Sequence, residues 1–498
     1  MYMLLRVVSA GVLFFLSFPP FGYWYLIFPS LFLFYYSLFL KNSFSNGFLF
    51  GAISYGGMLY GIQSIGYEAW IPLMILMGIL YGFFGKLFSR LSYRKETNYL
   101  QLLSVVAFFD ILRAYIPFGG FPWGFSSTAL LVPYLDGSQF LLTSLMFKSF
   151  GPTGFSLVLQ SFILFVAVAA YKNVNYKHAL KIQSIFMLFV VIVGTIANFN
   201  PVEVPQKSDL NLTIVQGNSP CPGAKNRCVN EREKIYQSHL NLTQNLQEEV
   251  DLVIWPESST GFNNDPGVHS IVLDAISNES MRLNAYFLIG GDRPIEQSYF
   301  ENYGVFISKA TESTKSSIVG QYLKQHPVPF GEYIPARKYL EWIPPLALVP
   351  RDMIRGVSEK VFYVDEIKVS SVISFEGAFQ RYIRNSVLEG AEVVVVLTNQ
   401  ASYGESGMSD QFILMSTANA LSNDRPLIHS AITGKSAIIT NTGAILKISE
   451  LFEATTLTDS VTPMNSLTLY TQFGNYLNYL ILIASVLIFL KRFIRQSD

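Results

Sequence analysis

Three stretches of this chain close a strand-like run with a side chain able to do chemistry. In Val253-Ile254-Trp255-Pro256-Glu257-Ser258, a carboxylate directly follows an apolar run. Desolvation beside Trp255 would raise its pKa toward what a general base needs near neutrality. In Lys324-Gln-His-Pro-Val328-Pro-Phe-Gly331-Glu332-Tyr333, proline and glycine predict a rigid turn that fixes Lys324 and Glu332. A lysine ammonium is a compact charge suited to a developing oxyanion. In Val372-Ile373-Ser374-Phe375-Glu376-Gly377, a hydroxyl sits where a strand turns into a helix, with backbone N–H groups nearby. Each stretch also has a plain structural reading. Glu257 can be an ordinary strand-ending acid, Lys324 a solvated lysine before a turn, and Ser374 a helix N-cap.

The elements that would carry these groups alternate between strand and helix. Strand-like runs are 210–217, 251–255, 285–289, 303–308, 367–374 and 391–398. The unbroken Val393–Val396 run predicts a strand buried on both faces. Helical patterns lie near 230–249, 267–282, 377–389 and 409–423. Such alternation predicts a layered α/β domain whose functional groups gather just beyond strand ends.

The rest of the chain is of another kind. Half of its 498 residues are hydrophobic and only 14% are charged, against about 25% charged in soluble domains. A soluble cytosolic enzyme and a disordered tail are excluded. Basic and acidic residues balance at 35 each, which argues against a nucleic-acid surface. Apolar runs lie near 4–18, 23–40, 46–64, 71–89, 99–117, 150–171, 182–199 and 474–490. A spanning helix needs roughly 20 apolar residues, so the reading is an α-helical transmembrane bundle of eight spans. No small-residue cleavage site follows the first run, which is therefore read as retained. Lys and Arg cluster near 41, 86–95, 172–181 and 491–495, placing those loops and both termini on the cytoplasmic side. The predicted division is 1–199 (seven spans), 200–470 (outer catalytic domain) and 471–498 (eighth helix and tail). Asp110 and Arg113 sit at the outer end of the fifth run, where they either serve function or pair with each other. The loop 118–149, rich in aromatics and glycine around Trp123, is either an interfacial belt or the floor of a lipid-accessible cavity.

None of the three stretches is specific alone, but together they resemble the apolipoprotein N-acyltransferases. The resemblance runs over nearly the full length. It rests on Phe18-Pro-Pro-Phe-Gly22, Phe121-Pro-Trp123, Val215-Gln-Gly-Asn218, Trp255-Pro-Glu257, Val328-Pro-Phe-Gly-Glu-Tyr333 and Thr398-Asn399 before a glycine-bearing loop. It implies a nitrilase-like α-β-β-α sandwich outside the membrane on an eight-helix bundle. It also implies transfer of an acyl chain from a phospholipid to the N-terminal diacylglyceryl-cysteine of a lipoprotein. In that resemblance Glu257 is the general base, Lys324 stabilises the tetrahedral intermediate, and Glu332 and Glu376 are further acids. Phe375, Asn399, Tyr403 and Trp123 fall at substrate-contacting positions. No cofactor, metal or nucleic acid is implied, and the expected form is a monomer in a bacterial inner membrane with a periplasmic catalytic domain.

The nucleophile position departs from the pattern. The family has cysteine where this chain has Ser374. A thiol of pKa ~8.5 needs modest help to ionise, whereas a serine hydroxyl depends on an adjacent base, usually histidine. Slow or absent turnover is the expectation. Other positions have drifted too: Ser219-Pro-Cys221 follows Asn218, and Ser402 stands in the Asn399–Gly404 loop. Cys221 and Cys228 would lie in an oxidising compartment, where a disulfide across that short loop is expected. Gly404 and Gly407 mark the 400–408 loop as a candidate lid. Three rivals remain: a catalytically silent relative that binds lipoproteins or scaffolds another membrane protein, an amidase-like hydrolase of a soluble compound, and a transporter.

Overall fold

The structure, a computed structural model, describes residues 2–39, 43–92, 99–171, 176–199, 207–219, 232–261 and 264–497. Cys221 and Cys228 lie outside these residues. The chain divides into two compact units. One comprises Met1–Pro201, Ser406–Leu414 and Thr468–Asp498; the other comprises Val202–Glu405 and Met415–Leu467. Residues 406–414 thus group with the helical unit, although they lie within the stretch read from sequence as one outer domain.

Each of the eight apolar runs coincides with a helix: Tyr2–Leu16, Ile27–Leu38, Ser43–Met58, Tyr67–Ser92, Tyr99–Tyr115, Leu141–Tyr171, Tyr176–Phe199 and Tyr476–Ser497. Three helices among the described residues, Tyr67–Ser92, Leu141–Tyr171 and Tyr176–Ile196, are long and apolar enough to cross a membrane. Tyr2–Leu16, Trp24–Leu38 and Tyr476–Leu490 are apolar but shorter. The eight expected spans are thus supported only in part. Leu141–Tyr171 breaks at Gly151, where the backbone leaves helical geometry and Pro152 restarts it. Helices Ser43–Met58 and Tyr67–Ser92 meet closely, and Gly47 is what permits this. A Cβ there would stand 1.9 Å from the Tyr81 carbonyl oxygen, and small residues set such approaches between apolar helices.

The described residues of the second unit hold thirteen strands. In chain order they are β1 (Leu210–Gln216), β2 (Leu252–Trp255), β3 (Tyr286–Ile295), β4 (Tyr299–Ile307), β5 (Ile318–Leu323), β6 (Asp352–Met353), β7 (Val361–Val364), β8 (Ile367–Ile373), β9 (Val393–Thr398), β10 (Leu427–Ala431), β11 (Ala437–Ile439), β12 (Ile445–Ile448) and β13 (Thr455–Val461). Among the described residues they form two sheets, ordered β13-β1-β2-β3-β4-β5, with β6 beside β4, and β12-β11-β10-β9-β8-β7.

The alternation of strand side chains explains the layering. Leu212, Ile214, Leu252, Ile254 and Leu288 of the first sheet join Val369, Ile373, Val393, Val395 and Leu397 of the second in one buried core. The intervening residues Val215, Val253, Trp255, Phe287 and Ile289 face the other way. They pack with Tyr236, Leu240, Val272 and Ile276 of helices Arg232–Gln244 and Ser270–Leu283. Helix Gln380–Leu388 lies against β8 and β9. The result is a helix–sheet–sheet–helix sandwich, a layered α/β domain as the alternation predicted and with the order of layers that the resemblance implied. Val393–Val396 is fully buried, as its unbroken apolar run predicted.

Candidate active site

The sheets place the candidate groups at strand ends. Glu257 follows β2, Lys324 follows β5, Ser374 follows β8 and Asn399 follows β9. β8 and β9 run parallel with Ile373 opposite Leu397. The backbone N–H of Asn399 donates to Glu257 Oε2 at 2.6 Å. Asn302 on β4 donates its side-chain amide to Glu257 Oε1 at 2.6 Å, and its carbonyl accepts from the Lys324 N–H at 3.0 Å. Glu257 is therefore gripped from both sheets.

Lys324 is fully buried, with Nζ 3.5 Å from Glu257 Oε1 and 2.5 Å from Glu332 Oε1. Glu332 is kept in reach by the Pro-Phe-Gly turn: its Oε2 accepts from the Val328 N–H at 2.8 Å. Loss of water raises the Glu257 carboxyl above the ordinary carboxylate range. The Lys324 charge opposes that rise and the Glu332 charge adds to it. Burial alone would lower the Lys324 ammonium. The Glu332 and Glu257 carboxylates outweigh burial and hold Lys324 above its ordinary value. The lysine is thus a fixed cation and Glu257 a strengthened base.

Glu376 does something else. One carboxylate oxygen accepts from the N–H groups of Gln325 and His326, at 2.5 and 2.8 Å. The other accepts from the Ile373 N–H at 2.8 Å and the Tyr322 hydroxyl at 2.7 Å. It ties the residues after Lys324 to the residue before Ser374 and so brings those two positions together. Burial lifts its carboxyl to about 7 against the pull of these donors.

Ser374 differs from expectation in its setting. It opens a five-residue 3₁₀ turn, Ser374–Ala378, and helix Gln380–Leu388 starts only after it. The N-cap reading fails, because the cap position is Ile373. The expected helix start beside the hydroxyl is absent, since so short a turn supplies little dipole. Ser374 instead has φ of +56°, a left-handed conformation that costs a non-glycine residue about 1–3 kcal/mol and clusters at functional sites.

Phe375 is 9% exposed and meets Phe379 edge-on at 4.8 Å. Asn399 also accepts from the Ala401 N–H at 3.2 Å. Tyr403 closes the turn Ala401–Tyr403, and burial, then the Glu257 charge, push its phenol up. Trp123 belongs to the helical unit. It is 2% exposed, its indole donates to Gln411 Oε1 at 2.6 Å, and its ring stacks on Phe121 and meets Phe412 edge-on. A ring so enclosed packs its own unit, unlike the substrate-contacting face expected for it. Gly407 is likewise tightly packed, since a Cβ there would lie 2.3 Å from the Pro20 nitrogen. Asp110 and Arg113 pair at 3.7 Å, the structural alternative of the two readings.

Sequence reasoning missed Asn302 and Asp292. Asn302 was signalled by a polar residue between Phe300 and Tyr303 in a strand that is otherwise apolar toward its end. His326 is the histidine nearest Lys324 in the chain, and its ring packs 4.4 Å from that of Phe379. Burial, then the Arg381 charge, lower it to about 3. It stays neutral and is a weaker base than Glu257.

A family model described as carbon-nitrogen hydrolase matches residues 211–465, half of the chain. The chain belongs to the carbon-nitrogen hydrolase family. A second model, the apolipoprotein N-acyltransferase N-terminal domain, matches residues 10–135. Curated relatives named apolipoprotein N-acyltransferase match nearly end to end. The Geobacter metallireducens protein is 25% identical over 99% of this chain and 96% of its own. That of Rickettsia prowazekii is 26% identical over 92% and 93%. That of Photobacterium profundum is 28% identical over 95% and 92%. The resemblance drawn from the motifs is borne out, and the second unit is a nitrilase-like α/β domain. Among solved structures, an amidase from Nesterenkonia sp. is 14% identical at a TM-score of 0.36, covering 55% of this chain and 96% of that one.

Proposed function

We propose that this chain is an apolipoprotein N-acyltransferase that works through an ester on Ser374. The observation that carries the reading is the buried Glu257–Lys324–Glu332 cluster at the strand ends, joined through Glu376 to the Ser374 turn.

In the first half-reaction Glu257 takes the Ser374 proton as the hydroxyl attacks a phospholipid ester carbonyl. The Lys324 ammonium stabilises the resulting oxyanion. Collapse breaks the bond to the glycerol oxygen, Glu257 returns the proton to it, and lysophospholipid departs. In the second, the amine of a diacylglyceryl-cysteine attacks the Ser374 ester. Glu257 accepts the amine proton and passes it to the serine oxygen, leaving an amide and a free hydroxyl. This is covalent catalysis in two steps. Both substrates carry acyl chains, which accounts for apolar helices and an enzyme-like domain in one chain. In this reading the eight helices span a bacterial inner membrane as a monomer, with the α/β domain in the periplasm and both termini cytoplasmic.

Ser374 favours one second reading, a silent relative that holds lipoproteins without acylating them. The purified protein is incubated with phospholipid and a diacylated lipopeptide, and triacylated product is sought by mass spectrometry. Product from the native chain supports the proposal. Product only from Ser374→Cys identifies a weakened enzyme, and none from either form supports the silent relative.

A further inference from the structure

The Glu257 turn is held by a residue that none of the motifs includes. Asp292 lies on β3, opposite Asn302 in the antiparallel register of β3 and β4. Its Oδ2 accepts from the hydroxyl of Ser258, the residue directly after Glu257. Ser258 has φ of +63°, so the chain turns left-handed immediately beyond the base. The Ser259 N–H and hydroxyl both donate to the Gly290 carbonyl, at 3.0 and 2.7 Å. Gly290 is required there, since a Cβ would come within 2.5 Å of the Pro256 oxygen and 2.9 Å of the Glu257 Cα. The turn is thus laid flat on β3 and tethered at two points.

Among the described residues Asp292 has no cationic partner of its own. The neighbouring Arg293 turns to the opposite face of the strand, bonding Glu301, Asp265 and Gln321. The charged and titratable groups facing Asp292 are Glu257 and Glu332, which oppose its ionisation, Lys324, which favours it, and the Tyr303 phenol. Burial and the Glu257 charge lift the Asp292 carboxyl to about 7, while the Ser258 hydroxyl opposes that rise.

We infer that Asp292 is a positioning residue for Glu257, fixing its turn through the Ser258 hydroxyl and setting a further carboxylate beside the Glu257–Lys324–Glu332 cluster. This rests on the proposed role of Glu257. Asp292 touches no reacting atom. Where Asp292 is ionised, its charge and that of Glu257 oppose each other.

The test uses the full chain with Ser374→Cys, so that it does not depend on turnover. Iodoacetamide labelling of the peptide spanning residue 374 is followed against pH by mass spectrometry, which separates it from the peptides of Cys221 and Cys228. Adding Asp292→Asn, which retains an acceptor for Ser258, is expected to move the labelling midpoint to lower pH by about half a unit, because a negative charge has left the site. Ser258→Ala removes the hydroxyl that favours the charged Asp292 and shifts the midpoint the same way by less. Glu257→Gln in the same background separates the two ideas. If it moves the midpoint and Asp292→Asn does not, the inference about Asp292 is overturned and the active-site reading stands. If neither moves it, the thiol does not sense Glu257 and the active-site reading fails as well.

Discussion

The two units each bury charged groups, and they do so in opposite ways. In the helical unit Asp110 and Arg113 are matched one to one. Asp110 also accepts from Gln160 at 2.9 Å, whose oxygen accepts from the Tyr35 hydroxyl at 2.7 Å. Arg113 donates to the Tyr55 hydroxyl and the Trp123 carbonyl. In the α/β unit two carboxylates, Glu257 and Glu332, share one ammonium, and the adjoining turns at Ser258 and Ser374 are left-handed. A balanced, saturated pair has little left with which to do chemistry. An unbalanced cluster beside strained backbone is where pKa values are shifted for work. The contrast fits a structural role for the first and the proposed catalytic role for the second.

The sharpest way to break this comparison is to cut each centre and ask what is lost. Glu257→Gln is expected to lower acyl transfer by roughly 10²–10⁴-fold, the span of general acid–base catalysis, with the thermal midpoint in detergent little changed. In the native chain the acid limb of kcat/KM should lie above the ordinary carboxylate range. Burial raises Glu257, and activity needs its deprotonated form, so activity is lost as pH falls through that raised value. Arg113→Met should show the opposite signature. It leaves Asp110 buried without its partner, costing about 3–5 kcal/mol, seen as a lowered thermal midpoint while activity per folded molecule persists. An Arg113 variant that stays stable but inactive would erase the distinction between the two centres.

Smaller effects sharpen it. Ser374→Cys should raise the transfer rate by on the order of tenfold, because the thiolate forms at far lower pH than the alkoxide; an unchanged rate would show that the site already activates serine fully. Trp123→Phe keeps the ring stacking but loses the indole bond to Gln411, at a cost of about 1 kcal/mol. Its thermal midpoint should fall slightly with no change in KM for either lipid. A raised KM would return Trp123 to the substrate path.

How much was legible in the residues follows from the range of the interactions. The apolar runs at 252–255 and 286–289 are local, so strands of a layered α/β domain could be read from them, whereas the α-β-β-α sandwich was implied by the resemblance. The positions of Glu257, Lys324 and Ser374 were visible because each follows a strand-like run or lies in a turn rich in proline and glycine, whereas Glu376 was singled out by the resemblance alone. The bracing role of Glu376 was not visible, because its donors at 325, 326 and 373 come from separate segments. Asn302 and Asp292 were missed for the same reason: only the β3–β4 register shows that they face the turn after β2. The packing of Trp123 was not visible because an aromatic beside glycine looks the same in a belt, a cavity floor or a packed core. Its indole is held by Gln411, 288 residues away in the chain.

The central claim is that Ser374 carries the acyl group. Peptide mass spectrometry of the protein after incubation with phospholipid alone tests it most directly. The account predicts an acyl ester on the peptide containing Ser374, absent from Glu257→Gln. An acyl group found on a different residue, or none on either the native chain or Ser374→Cys, would contradict it.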